Sequence, residues 1–426
     1  MNTDHDTTTT RMFPKQPILF RFCFIFFLLF ILLFNNHTFL FLTPFVPLMG
    51  DVMIGFMKSM TAGWLDLNQT VPYYRNGSGD STVHWLILLL ILLLSIVACI
   101  VWSLVDRKNK AYPKLYYWLT VLVRYYVGIT MFNYGVIKLF QGQFPFPTLY
   151  KLTEPLYQYS PMGLAWAFYG ASHPYNIMIG IAEMLGVLLL FRKTMTIGAI
   201  ITLGVSINVM ATNYFYDVPV KMLSTALVLF SLYLLGPNIR KFYELLIQGK
   251  AISLNPAPSL QVNARWKRIS LISIKAILLL ATVAPAVQSV IRADKFLKQF
   301  VQTESDLYGV YYFPLREYEN RKKLRIPDDW HFLIFINEQS LIVRDAEMKS
   351  RTYQLTSDSL KKEIKIIGKA GEPSQHFRYE KRETGIMLKN IESNDSISIF
   401  VNKIDMENID LKTRGFRWVS DLPYNR

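Results

Sequence analysis

Cysteine is scarce in this chain of 426 residues. There are only two, Cys23 and Cys99, and both lie inside apolar runs with no CxxC arrangement. Two isolated cysteines exclude a disulfide framework, and they argue against dithiol redox chemistry carried by the protein itself. We therefore interpret both as packing or lipid-facing residues.

Signals for metal and cofactor binding are also missing. The six histidines are scattered, and none has the His-x-x-His or Glu-x-x-His spacing of a metal site. We find no haem, flavin or nicotinamide motif and no nucleophile elbow. The sequence therefore predicts no metal site and identifies no cofactor.

Acidic residues are few in the first two thirds of the chain. Before residue 292 there are 22 Lys or Arg against 10 Asp or Glu, whereas the remainder has 24 against 21. The excess positive charge therefore belongs to the apolar part of the chain. In a membrane protein this excess is typical of a topology signal, so we expect no nucleic-acid partner.

Long apolar runs dominate the first 291 residues. Seven of them approach the ~20 residues that cross a bilayer of ~30 Å. The first is too long for a signal peptide, and no small-residue cleavage site follows it, so we expect a retained helix. We predict an all-α polytopic membrane helix bundle with about seven spans, at residues 18–34, 85–105, 115–140, 176–191, 194–210, 218–235 and 269–287.

Basic residues alternate along this arrangement. They are frequent before the first span and after the second, fourth and sixth spans, and they are rare in the other intervals. By the positive-inside rule, the N-terminus is cytoplasmic and the C-terminal part lies outside. The expected location is the cell inner (cytoplasmic) membrane, with an extracytoplasmic C-terminal domain.

The interval between the first two spans is too polar to cross a membrane. Its stretch 45–60 is amphipathic, and we expect it to lie along the outer membrane surface. Asp80 or Ser81, directly before the second span, suits an N-cap of that span.

The pattern changes to short alternating or β-branched runs near the end of the chain. These runs, separated by turns, predict an antiparallel meander, folded as a small barrel or sandwich. We predict a linking helix at 292–306 and a β-rich soluble domain at 307–426. The string Arg414-Gly-Phe-Arg-Trp418 alternates like an edge strand, and we expect it to close a barrel. The predicted strands are 331–336, 340–343, 363–367, 385–388 and 396–401.

Charged residues inside two predicted spans mark a polar site. In the third span, steps of three or four residues place Arg124 and Lys138 on one helix face, with Tyr134 flanking it. Two glycines on this stripe favour the close approach of a neighbouring helix or a ligand. Glu183 lies near the middle of the fourth span, at a depth comparable with Arg124. We therefore expect Arg124 and Glu183 to pair across the two helices.

A second polar group lies between the fifth and sixth spans. Asn208, Asn213, Asp217 and Lys221 fall near the outer surface, at the level that Lys138 reaches. Asp217 suits an N-cap of the sixth span, and the lysines suit snorkelling to the interface. Lys221 in a first helical turn is opposed by the helix dipole, which an adjacent Asp217 or an anionic ligand offsets. A cap and a binding site therefore both stay open for this group.

Three strings resemble the DoxX-like family of bacterial integral membrane proteins. They are Tyr134-Gly-Val-Ile-Lys138-Leu, Gly180-Ile-Ala-Glu183-Met-Leu-Gly186, and the stretch from Asn208 through Tyr216-Asp217-Val-Pro-Val-Lys221. The string Asn76-Gly-Ser-Gly-Asp80-Ser and the C-terminal tail resemble the longer members, which carry an extracytoplasmic domain. The resemblance implies a four-helix core at about 115–235. It also implies proximity to quinone or thiol redox processes, because the family name comes from a membrane subunit associated with thiosulfate:quinone oxidoreduction.

The residues and the resemblance favour a binding or accessory protein over an enzyme. Its polar column, from Arg124 and Glu183 to the outer group, is expected to hold a small amphipathic molecule, either a quinone or a lipid. Tyr134 and Asn208 suit a quinone carbonyl, while Lys138 and Lys221 suit an anionic group. The alternatives are a membrane anchor or scaffold for the β-rich domain, and a quinone-linked oxidoreductase subunit. The expected partners are membrane lipids, a quinone, and an extracytoplasmic or membrane protein.

Overall fold

A computed structural model gives the protein two compact units. Unit 1 comprises Met1–Gln143 and Pro174–Val290, and unit 2 comprises Phe144–His173 and Ile291–Arg426. The structure describes residues 17–414 apart from 37, 45, 62–78, 109–110, 256, 259–263, 268, 278, 282, 285–287, 289–305, 315–316, 325, 369–373 and 392–396.

Helices make up nearly all of unit 1. The 3-10 segment Leu185–Leu190 continues α7, and Gly236–Asn238 joins α9 to α10. Residues 265–284 are helical wherever they are described. In chain order the labelled helices are α1 (Pro17–Leu33), α2 (Val46–Thr61), α3 (Thr82–Val105), α4 (Pro113–Leu139), α5 (Leu149–Leu152), α6 (Pro161–Ala171), α7 (His173–Met184), α8 (Met195–Phe215), α9 (Lys221–Leu235), α10 (Ile239–Leu246), α11 (Tyr318–Lys323) and α12 (Asp410–Thr413).

Within the described ranges, four helical stretches are long and apolar enough to cross a membrane. They are Thr82–Val105, His173–Leu190, Arg192–Phe215 and Lys221–Leu246. Helix α1 is apolar but has only 17 residues. Helix α4 has 27 residues, yet Lys114, Arg124 and Lys138 interrupt its apolar surface. The count of about seven spans therefore stays a prediction, and the linking helix at 292–306 falls almost entirely outside the described residues.

Aromatic rings form the centre of the helical unit. The Phe230 ring on α9 meets Phe27 of α1 edge-on at 4.7 Å between ring centroids, and it meets Tyr126 of α4 at 5.7 Å. Phe30 packs against the same ring at 5.7 Å. Tilted and edge-on contacts at these distances are favourable beyond the apolar area that they bury. The rings thus hold α1, α4 and α9 together.

Four glycines, which we call the glycine seam, bring α4 against α7 and its 3-10 continuation. They are Gly128 and Gly135 on α4, Gly180 on α7, and Gly186 on the 3-10 segment that continues α7. A Cβ atom on Gly135 would lie 2.5 Å from the Gly180 carbonyl oxygen, and one on Gly128 would lie 3.0 Å from that of Gly186. Only glycine permits this separation of the two backbones. The close approach predicted from the α4 stripe is confirmed.

The C-terminal strands form a closed antiparallel barrel in which each strand pairs with the next and β1 pairs with β8. The predicted meander is therefore a barrel. We expected Arg414–Trp418 to close the barrel, and this is wrong, because β1 pairs with β8 and places Val310 opposite Ile404. Residues 415–418 lie outside the described ranges. The strands are β1 (Gly309–Tyr312), β2 (Phe332–Asn337), β3 (Ser340–Arg344), β4 (Ser350–Asp358), β5 (Glu363–Ile367), β6 (Gln375–Arg382), β7 (Gly385–Asn390) and β8 (Ser398–Ile404).

Unit 2 also contains the segment between α4 and α7. Leu149 of α5 packs into a buried cluster with Ile334, Ile342 and other residues on the outer face of the barrel. Arg344 lies fully buried, with its Nη2 atom 2.8 Å from the Tyr150 carbonyl oxygen and its guanidinium 4.7 Å from the Tyr150 ring centroid. Burial lowers the pKa of Arg344. The barrel is therefore covered by a segment that lies far from it in sequence.

The glycine seam yields a direct test. We expect Gly135→Leu to lower the free energy of unfolding by about 3 kcal/mol or more, since the new side chain meets the α7 backbone. The matched control is Gly204→Leu on α8, where a Cβ atom meets nothing within 4 Å. Unfolding in mixed micelles, monitored by tryptophan fluorescence, measures the free energy of unfolding of both variants. Equal effects of the two variants would contradict the seam.

Candidate functional site

The eight predicted site residues fall into separate groups in the structure. Lys138 and Glu183 pair beside Tyr134. Asp217 lies in the turn between α8 and α9, with Asn213 at the end of α8 and Lys221 at the start of α9 on either side of it. Arg124 contacts the 3-10 segment instead, and Asn208 is exposed on α8. The structure thus brings three of the eight together, around a buried pair of opposite charges.

Lys138 and Glu183 form a buried ion pair. The Lys138 Nζ atom lies 2.9 Å from Oε1 and 2.7 Å from Oε2 of Glu183. Lys138 is 5% exposed and Glu183 is 2% exposed. In surroundings of low dielectric, each charge depends on the other for compensation, and the loss of either partner is costly.

The expected pair of Arg124 with Glu183 is wrong. Glu183 lies between the two seam contacts at Gly180 and Gly186, which face Gly135 and Gly128 respectively. Side chains on a helix tilt towards its N-terminus, so Lys138 reaches back along α4 to this level, whereas Arg124 points away from it. Arg124 instead donates from Nε to the Leu189 carbonyl oxygen at 2.8 Å.

Tyr134 and Asn36 complete the group. The Lys138 Nζ atom lies 5.5 Å from the centroid of the half-buried Tyr134 ring, within the range of a cation–π contact. Asn36, which follows α1 in a left-handed backbone conformation (φ 47°), donates from Nδ2 to the Tyr134 hydroxyl at 3.1 Å. We call Asn36, Tyr134, Lys138 and Glu183 the Lys138 site. Sequence reasoning missed Asn36 because its contact with α4 spans 98 positions.

The start of α9 is capped by Asp80, an acid that we expected as a candidate N-cap of the second span. Asp217, expected as the N-cap of the sixth span, is 83% exposed at its side chain and has a left-handed backbone (φ 51°). It pairs with Lys221 Nζ at 2.7 Å. The carboxylate of Asp80 instead accepts from the backbone N–H groups of Lys221 and Met222, at 2.6 and 3.0 Å. The cap prediction for Asp217 is therefore wrong.

Asp80 satisfies two of the free N–H groups at the start of α9 and supplies negative charge at the positive end of that helix. Together with Asp217 it offsets the unfavourable position of Lys221 in the first turn. Ser81 occupies the N-cap position of α3, as expected, but its Oγ atom lies 2.5 Å from Nδ1 of His84 rather than bonding to a backbone N–H.

The two asparagines have different environments. Asn213 is buried and donates from Nδ2 to the Val220 carbonyl oxygen at 3.2 Å. The backbone carbonyl oxygen of Asn213 accepts from the backbone N–H of Val218. It therefore shapes the α8–α9 turn. Asn208 is exposed on α8. Neither asparagine is among the contacts of the Lys138 site.

The chemistry of the Lys138 site favours a neutral polar group. Its ammonium and carboxylate cancel in charge, so an additional buried anion or cation would have no counter-charge within the pair. The ammonium and the Tyr134 hydroxyl are donors suited to a carbonyl oxygen, and the carboxylate is an acceptor suited to a hydroxyl. Among the described residues, no three His, Cys, Asp or Glu side chains are grouped as metal ligands.

The fold and the site define a class: a helical unit whose described residues include four helical stretches able to cross a membrane, a buried Lys–Glu pair, and an eight-stranded antiparallel barrel. The chain belongs to the same family as the uncharacterized protein YwoB of Bacillus subtilis (strain 168). The two are 34% identical over 162 residues, which are 37% of this chain and 96% of that protein. No family model matches the chain, and no solved structure matches it. The DoxX-like resemblance stays a prediction.

The ion pair can be tested by a double-mutant cycle. We expect Lys138→Met alone, or Glu183→Met alone, to lower the free energy of unfolding by about 3–5 kcal/mol, since either leaves a buried charge unpaired. The double variant, with two apolar side chains, should recover most of this loss. Denaturation in mixed micelles measures the cycle. The control is Asp217→Asn at the exposed pair, with a change below about 1 kcal/mol. A double variant no more stable than either single variant would contradict the pairing.

Proposed function

We propose that the protein is a membrane binding or accessory protein whose Lys138 site holds the neutral polar head of a small amphipathic molecule. A quinone fits best and a lipid is the second choice. One observation carries the proposal: a charge-neutral Lys138–Glu183 pair is buried beside a phenol between α4 and α7, and α7 with its 3-10 continuation is long and apolar enough to cross a membrane. Ionisable groups placed inside a membrane are costly and usually serve function.

Fewer residues contact the ligand in this proposal than the sequence indicated. A quinone carbonyl would accept from the Lys138 ammonium and from the Tyr134 hydroxyl, and Glu183 would accept from a ligand hydroxyl. Asn208 and Lys221 have no part, because Asn208 is exposed and Lys221 pairs with Asp217 in the α8–α9 turn. The resemblance to the DoxX-like family supports a quinone over other neutral heads.

The proposal includes a location and an orientation. The alternation of basic and non-basic intervals supports the inner membrane, a cytoplasmic N-terminus and an extracytoplasmic barrel. The barrel would then engage an extracytoplasmic or membrane protein partner.

A membrane anchor for the barrel is the second candidate. It is favoured by the buried core of the barrel, which includes Phe335, Phe377 and Tyr379 and is built, among the described residues, from unit 2 alone. Because Phe144–His173 belongs to the barrel unit, an anchor swap must retain this segment together with the strands.

Native mass spectrometry of the protein released from mild detergent tests the proposal. We expect co-purified quinone or lipid on the wild type, and about five- to tenfold less on Tyr134→Phe, which removes one hydrogen bond to the ligand. The matched control is Tyr117→Phe on the same helix, with unchanged retention. If the wild type retains no more quinone or lipid than a folded Lys138→Met/Glu183→Met variant, the binding role fails and the anchor role gains.

A further inference from the structure

A second cluster of charge lies around the 3-10 segment that follows α7. Arg124 donates from Nε to the Leu189 carbonyl oxygen at 2.8 Å. Lys275 places its Nζ atom 4.4 Å from the centroid of the Phe191 ring. Arg192, the next residue, donates from Nη2 to the Ala257 carbonyl oxygen at 3.1 Å. We call Arg124, Arg192 and Lys275 the basic cluster, because Arg124 and Lys275 contact Leu189 and Phe191, and Arg192 follows directly in the chain.

No acid neutralises this cluster within the part of the chain that the structure describes. The contacts of the three cations are with carbonyl oxygens and an aromatic ring. Arg124 lies within electrostatic range of Arg192 and of Lys275, so its charge is repelled by both. Like charges held together without a counter-ion are unfavourable, and most of all where one is buried.

Arg124 is the centre of the cluster. It is 3% exposed, yet its single bond to Leu189 uses one of the five N–H donors of the guanidinium. Its Nη1 and Nη2 atoms donate to no group among the described residues, although neither is sealed from open space. A purely structural role, capping the carbonyl that the 3-10 turn leaves free, accounts for Nε. It does not account for the remaining donors or for the two further cations.

We propose that the basic cluster binds a phosphate group. Planar guanidinium forks match phosphate oxygens in pairs, and a lysine adds a point charge. Basic pockets between membrane helices are suited to the phosphates of anionic lipid heads. Exposed apolar residues, including Phe191 and Ile274, lie beside the cluster and suit acyl chains. The same chemistry would serve a free phosphate anion.

This site is independent of the Lys138 site. Fourteen residues separate Arg124 from Lys138 on α4, which corresponds to about 21 Å along the helix. The first site is neutral in net charge, whereas the basic cluster carries three positive charges. Separate variants can therefore test the two sites.

The test uses the full chain in nanodiscs of phosphatidylcholine with added phosphatidylglycerol. We expect native mass spectrometry to show preferential retention of phosphatidylglycerol by the wild type. Arg124→Gln, Arg192→Gln and Lys275→Gln should each reduce that retention about tenfold, the size expected for a lost charge-assisted hydrogen bond. The matched control is Lys193→Gln, which removes the same charge from an exposed neighbour. If Arg124→Gln does not fold, the other two variants at more accessible positions decide the result.

Inorganic phosphate, added to the detergent-purified protein, forms the second arm. Binding of phosphate that depends on Arg192 and Lys275 but not on Lys193, with no preference for phosphatidylglycerol, would identify a free anion as the occupant and support the phosphate site. Retention of both probes that is equal in Lys193→Gln, Arg192→Gln and Lys275→Gln would overturn the proposal. Failure of both phosphatidylglycerol and inorganic phosphate to bind would also overturn it.

Discussion

The contact between Lys138 and Glu183 across the glycine seam is the constraint on which the helical unit depends. The seam brings two backbones within a distance that only glycine allows, and the ion pair lies directly beside it. The pair depends on the seam, because without the close approach of the two backbones Glu183 would be too far from Lys138. Removing only one of the two charges would leave the other buried and uncompensated at this contact. The position of this pair next to Tyr134 is also what gives the unit a polar site.

A second polar contact between the same two helices lies beyond the seam. Helix α7 continues as a 3-10 segment at Leu185, and the carbonyl of Leu189 is met by Arg124. A helix that changes its hydrogen-bonding pattern leaves carbonyl groups for other donors. One pair of helices thus carries two polar sites of different character: a neutral one at Lys138 and a cationic one at Arg124. This separation explains why a single ligand need not occupy both.

Sequence reasoning reached the stripe of Arg124, Gly128, Gly135 and Lys138 because helical periodicity is local. It chose the wrong partner for Glu183 because equal depth was counted from Cα positions, whereas side-chain direction decides which cation reaches the acid. Asp80 was unpredictable as the cap of α9, since 141 positions separate it from Lys221. In the barrel, β1, β4 and β6 were absent from the predicted strands. The alternation of β4 and β6 was missed because their outward residues are polar, although Tyr353, Leu355, Phe377 and Tyr379 face the core.

Solid-state NMR of the protein in bilayers, with labelled Lys138 and Glu183, tests the central claim most directly. The account predicts a charged ammonium and an ionised carboxylate in through-space contact, and a change of both signals when a quinone is added. A protonated Glu183 without contact to Lys138 would contradict the ion pair. Signals that stay unchanged with every quinone and lipid tested would leave the pair as a structural element and contradict its role as a binding site.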